Sequence, residues 1–197
     1  MNISNLEMIK SQMAASIETK QKLFADEKAI NEISAIADVC VEAYKRGNKV
    51  LWCGNGGSAA DAQHMAGELV SKFRFDRPGL PSMSLSVDPS IVTAISNDYG
   101  YEKVFSRQIQ ANGRKGDVLI GISTSGNSKN IVEAGKQCVE MGITTVALVG
   151  AKPCAMDAFD HVVKIPSTET PRIQECQTLI GHILCGIIEE RIFGEDR

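Results

Sequence analysis

The stretch Leu51-Trp52-Cys53-Gly54-Asn55-Gly56-Gly57-Ser58 and its counterpart Ile120-Gly121-Ile122-Ser123-Thr124-Ser125-Gly126-Asn127-Ser128 decide the fold. Each is an apolar run that stops at a Gly/Ser/Asn loop and passes into helix-favouring residues. A strand, a tight polar loop and a helix start present backbone N–H groups and hydroxyls to an anion. Two such loops in a chain of 197 residues predict a phosphorylated ligand held at more than one point.

Outward from these loops, strands alternate with helices. Val50 to Cys53 reads as a buried strand, Ala59 to Phe73 as a helix and Arg77 to Pro81 as a loop. Met83 to Val87 reads as a strand, and Pro89 to Ala94 and Tyr101 to Ala111 as helices. Val118 to Ile122, Thr144 to Val149 and His161 to Ile165 complete the strands, with a helix over Lys129 to Met141. Thr170-Pro171 predicts the last helix start, Thr as N-cap and Pro at the first helical position. That helix runs to about Phe193. Two helical patterns precede the first strand: Ile3, Leu6, Ile9, Met13 and Ile17, then Ile30, Ile33, Ile36, Ala37, Cys40 and Tyr44, ended by Gly47-Asn48. The pattern predicts an α/β fold with a doubly wound parallel sheet, helices on both faces and two leading helices. Binding loops then fall at the carboxyl ends of the strands. One domain over 1–197 is expected, with a helical pair over 1–47 and an α/β core over 48–197.

Composition narrows the function classes. Hydrophobic residues at 43% and charged residues at 23% fit a soluble globular chain with a real core. A net charge of -3 without a Lys/Arg cluster argues against nucleic-acid binding. No apolar run approaches the ~20 residues that span a bilayer, and the first 24 residues lack a signal-peptide pattern. The cysteines Cys40, Cys53, Cys138, Cys154, Cys176 and Cys185 form no C-x-x-C pair and sit among apolar residues. They read as reduced core thiols of a cytoplasmic protein.

Two polar pairs carry the chemistry. His64 and Glu68 lie one helical turn apart on the same side. They could grip a divalent metal, share a substrate, or form a solvated i,i+4 pair. Gln174 and His182 lie on the last helix among Ile173, Ile180, Ile183 and Leu184, where a histidine could equally be a satisfied core residue.

Cys53-Gly54-Asn55-Gly56-Gly57-Ser58 with Asp61-Ala62-Gln63-His64-Met65-Ala66-Gly67-Glu68-Leu69 resembles the sugar isomerase (SIS) domain family, in its bacterial phosphoheptose isomerase branch. Asn97-Asp98-Tyr99, Gly121 to Ser128 and Arg172-Ile173-Gln174-Glu175 continue the match over essentially the whole chain. The resemblance implies a flavodoxin-like SIS fold. It implies conversion of sedoheptulose 7-phosphate to D-glycero-D-manno-heptose 7-phosphate, the first step toward the ADP-heptose of lipopolysaccharide core. It implies His64, Glu68, Gln174 and His182 as ligands of one zinc per subunit, acceptable zinc chemistry. It makes Glu68 and His182 the catalytic acid/base pair. It makes Asn55, Gly56, Gly57, Asn97, Asp98, Ser123, Thr124, Ser125, Ser128, Glu68 and Gln174 contacts of the phosphorylated heptose. Asp61 is either near the site or a helix N-terminal charge, and His161 receives no role.

The reaction asks for a base at carbon, an acid/base at the oxygens and a group that holds charge on the oxyanion. The rival reading is a non-catalytic SIS protein that binds a replication initiator. That branch lacks the pair equivalent to Glu68 and His182, which this chain has. Eight positions separate Gln174 from His182, roughly 12 Å along a helix, whereas a zinc bond is only about 2.0–2.2 Å long. One of the two is therefore expected from a neighbouring copy, and a homo-oligomer, a D₂ tetramer, with sites at subunit interfaces follows.

Overall fold

The computed structural model describes residues 4–196. Among them, five parallel strands form one sheet: β1 (Val50–Gly54), β2 (Ser82–Ser84), β3 (Val118–Ser123), β4 (Thr144–Gly150) and β5 (His161–Ile165). Their order is β2-β1-β3-β4-β5. The helices are α1 (Asn5–Phe24), α2 (Glu27–Lys45), α3 (Gly57–Val70), α4 (Pro89–Tyr99), α5 (Val104–Asn112), α6 (Lys129–Met141) and α7 (Thr170–Phe193). The chain leaves β1 toward the β2 edge and leaves β3 toward β4. The β1/β3 boundary is thus a topological switch point, where a crevice opens at the carboxyl ends.

Alternation along the strands sends side chains to two cores. Val50, Trp52, Val118, Ile120, Ile122, Val146 and Leu148 pack with α2, α3 and α7. Leu51, Cys53, Leu119, Ala147 and Val149 pack with α5 and α6 on the opposite face. This is the expected doubly wound sheet with both faces covered. All six cysteines are free, and burial pushes the Cys40 and Cys185 thiols up to about 12.

Several boundaries differ from the sequence expectations. Strand β2 covers only Ser82–Ser84, because this edge strand peels away after Leu85 N–H bonds Trp52 O. Helix α4 extends to Tyr99, so Asn97-Asp98 lies in its last turn. Tyr101–Lys103 is a 3₁₀ turn ahead of α5. The N-cap of α7 is Glu169, not Thr170, since Ser167 Oγ accepts Glu169 N–H at 3.1 Å and turns the chain one residue earlier. Ile3, of the first helical pattern, lies outside the described residues. Leu6, Ile9, Met13 and Ile17 form an exposed apolar row on α1. A capping box between Ser4 and Glu7 starts that helix.

Helix α3 begins inside the first loop and ends at Val70 rather than Phe73. A buried ion pair stops it. Arg77 Nη2 donates to Glu68 O (2.9 Å) and Arg77 Nη1 to Leu69 O (2.6 Å), covering the last-turn carbonyls. Arg77 Nε meets Glu189 Oε1 at 3.1 Å, and Glu189 also accepts the Phe73 and Arg74 amides. Glu189, on α7, is fully buried. Burial alone would raise its pKa, but two amides and a guanidinium outweigh it and hold the carboxyl below its usual range. That contribution is present above the unfolded carboxylate pKa and is lost as pH falls through the folded one.

Glu189→Gln would leave the Arg77 guanidinium buried without its counter-charge. We expect a stability loss of about 3–5 kcal/mol in urea unfolding at pH 7. The gap between the two chains should narrow as pH falls below about 4. An unchanged midpoint at pH 7 would contradict this account of the α3 terminus.

Candidate active site

Helix α7 crosses α3 closely at one point. A Cβ on Gly181 would stand 2.4 Å from Met65 Sδ, so a larger residue there would force the buried Met65 side chain to move. Next to Met65 is His64, and next to Gly181 is His182. The crossing therefore brings His64, Glu68 and His182 together, with one ligand atom of each within 4.8 Å of the others. His64 Nε2 lies 3.0 Å from Glu68 Oε1 and 3.4 Å from His182 Nε2. Phe73 stacks on the His182 ring at 5.5 Å between centroids and fixes its plane. Asp61 accepts the Thr178 hydroxyl at 3.0 Å, one turn earlier, and ties the same two helices. His161 meets Glu32 at 2.9 Å on the far edge of the sheet.

The donor set fits a divalent metal. Bonds of about 2.1 Å in a tetrahedral site put ligand atoms roughly 3.4 Å apart; His64 stands 3.0 Å from Glu68 and 3.4 Å from His182, with all three atoms within 4.8 Å. Side-chain exposure of 46% for His64 and 24% for Glu68 leaves the cluster open to a small molecule. Gln174 packs against the start of α3 within the chain. Its Nε2 lies 2.9 Å from where a Cβ on Gly57 would stand, at the start of α3. Gly57 precedes His64 by seven residues, roughly 10 Å along α3. The structure thus joins three of the four expected ligands in one chain and sets Gln174 against the first loop.

The two loops meet across the switch point. Gly56 has φ +57° at the start of α3, a conformation that glycine adopts without a Cβ penalty. In the second loop Ser123 Oγ accepts Gly126 N–H at 3.1 Å and lies 3.1 Å from Ser128 Oγ. Ser128 caps α6 without a side-chain bond to its amides. Thr124 and Ser125 line a cavity of about 220 Å³ with Asn127, Lys152, Ser167 and Thr168, beside the start of α7. Asn97 and Asp98 are exposed and bond each other at 2.9 Å. Sequence reasoning missed Phe73 and Asn130. Asn130 is a buried amide on the α6 face that carries Ile131, Ala134 and Cys138. A polar residue on an apolar face was the available signal.

A family model described as the SIS domain matches residues 5–150. The phosphoheptose isomerase of Aneurinibacillus thermoaerophilus is 57% identical over 186 residues, covering 94% of each chain. Phosphoheptose isomerase 2 of Campylobacter jejuni is 56% identical over 188 residues, 95% of this chain and 94% of the relative. Among solved structures, a phosphoheptose isomerase from Francisella tularensis superposes with a TM-score of 0.90 at 34% identity, covering 95% of this chain and all (100%) of that one. The Neisseria gonorrhoeae phosphoheptose isomerase gives 0.88 at 38% identity, with the same coverage. The chain belongs to the SIS domain family, among the phosphoheptose isomerases.

Proposed function

We propose that the chain interconverts sedoheptulose 7-phosphate and D-glycero-D-manno-heptose 7-phosphate, with chemistry at His64, Glu68 and His182 and the phosphate on the second loop. The observation that carries this reading is the His64–Glu68–His182 cluster, two of whose residues sit on the helix that leaves the first anion-type loop. The relatives' names agree with it, and they give no support to binding of a replication initiator.

The isomerisation moves one proton between C1 and C2 and another between their oxygens. Groups within 4.8 Å of one another can face both ends of a single carbon–carbon bond. Glu68 carries the proton between the carbons. His182, held flat by Phe73, exchanges the oxygen proton. His64, Glu68 and His182 would hold one zinc per subunit, and a bound zinc supplies Lewis-acid polarisation of the carbonyl. Ser123, Thr124, Ser125 and Ser128 offer hydroxyls to the phosphate, and the first amides of α6 add N–H donors. Asn55, Gly56, Gly57, Gln174, Asn97 and Asp98 contact the sugar. The product feeds ADP-heptose formation for lipopolysaccharide core, in the cytoplasm.

We place the site in a homotetramer. The exposed row of Leu6, Ile9, Met13 and Ile17 on α1, with Leu179 and Ile183 exposed on α7, is apolar surface that a second copy would cover. No helix of the described residues is long and apolar enough to cross a membrane.

Two experiments test the reading. Glu68→Gln keeps size and hydrogen bonding but removes the carboxylate. Turnover of sedoheptulose 7-phosphate should fall at least ~100-fold with the fold intact by circular dichroism, and near-normal turnover would defeat the assignment. Purified chain should carry about one zinc, and His64→Ala should lose both metal and activity. Full activity after exhaustive chelation would show that the residues work without a metal.

A further inference from the structure

Asn130 is 3% exposed, and its side chain turns away from the α6 core toward the first loop. Its Nδ2 donates to Asn55 Oδ1 at 2.8 Å, and its Oδ1 accepts Asn55 Nδ2 at 3.0 Å. This reciprocal amide pair bridges the loop after β1 and the first turn of the helix after β3. Tyr101 Oη donates a third bond to Asn55 Oδ1 at 3.0 Å. An asparagine amide offers two acceptor positions and two N–H donors. Both acceptor positions of Asn55 are taken, and so is one donor. One N–H of Asn55 remains, on a half-buried residue.

We propose that Asn130 is a positioning residue: it locks the Asn55 amide so that its remaining N–H donates to an acceptor oxygen of the sugar phosphate, and it couples the two ligand loops. The inference rests on the proposed reading of the crevice as the sugar-phosphate site. An asparagine free to rotate would present its oxygen and its nitrogen to the ligand in turn, and would lose side-chain entropy on binding. The buried partner removes both costs in advance. Its energy is drawn from hydrogen bonds that already exist in the free protein, so its effect falls on ligand affinity rather than on the chemical step.

A double-mutant cycle tests this. Asn55→Ala, Asn130→Ala and the double variant are compared with the parent chain. KM and calorimetric Kd for sedoheptulose 7-phosphate are both read, so a chain that binds without turnover still reports. Asn130→Ala should raise both about tenfold, the scale of a well-made hydrogen bond, with kcat little changed. In the Asn55→Ala background it should add less than twofold. Asn130→Asp keeps the size but sets a carboxylate oxygen against Asn55 Oδ1 in place of a donor, and should raise both at least as much as alanine, which decides the matter if the alanine variant fails to fold. Multiplicative effects in the double variant, or unchanged affinity in both Asn130 variants, would overturn the proposal. Loss of sugar-phosphate binding by the parent chain itself would instead overturn the reading of the crevice.

Discussion

The close crossing of α3 and α7 at Gly181 is the constraint on which the site depends. A methyl group there would collide with Met65, which is almost fully buried. Overpacking of this kind costs about 1–3 kcal/mol when the core can shift at all. The shift itself is the larger consequence, because His182 and His64 are the neighbours of the two residues in contact. Their 3.4 Å separation is set by backbone approach, not by the histidines. A pair of rotatable side chains becomes a fixed donor set because two helices are held at one distance.

Other contacts hold that distance along the rest of the crossing. Thr178 bonds Asp61 one turn from the cluster. At the other end, Glu189 of α7 takes the amides that follow α3, and Arg77 covers the carbonyls of Glu68 and Leu69. The backbone of Glu68 is thus fastened by a buried ion pair. Such a pair adds little net stability over apolar packing, but it makes one arrangement far better than its neighbours. The two loops are joined by the same logic through Asn55 and Asn130. Both loops lie at the carboxyl ends of β1 and β3, and α3 leaves from the first of them.

Much of this was legible in the sequence because it rests on local signals. Helix α6 and strand β5 begin and end where the periodicity placed them, at Lys129–Met141 and His161–Ile165. The loops were legible because Gly, Ser and Asn interrupt apolar runs, and the His64/Glu68 pair because helical spacing puts i and i+4 on one side. What was not legible depends on contacts distant in sequence. Arg77 ends α3 three residues early through carbonyls that local pattern cannot assign to it. Ser167 moves the α7 cap to Glu169 through a turn outside the helix. Phe73 reaches His182 across 108 intervening positions. Gln174 and His182 were expected to need separate chains to share an ion. The structure keeps His182 with its own chain's His64 and Glu68, and turns Gln174 to Gly57.

The central claim is that one chain, by packing α7 onto α3, builds a metal-holding acid/base centre from His64, Glu68 and His182. Zinc-edge anomalous diffraction from crystals of the zinc-loaded protein tests it most directly. The account predicts an anomalous peak about 2.0–2.2 Å from a ring nitrogen of His64, a carboxylate oxygen of Glu68 and a ring nitrogen of His182, all three from the same chain. A peak that lacks any of these three atoms, or whose histidines come from different chains, would contradict it.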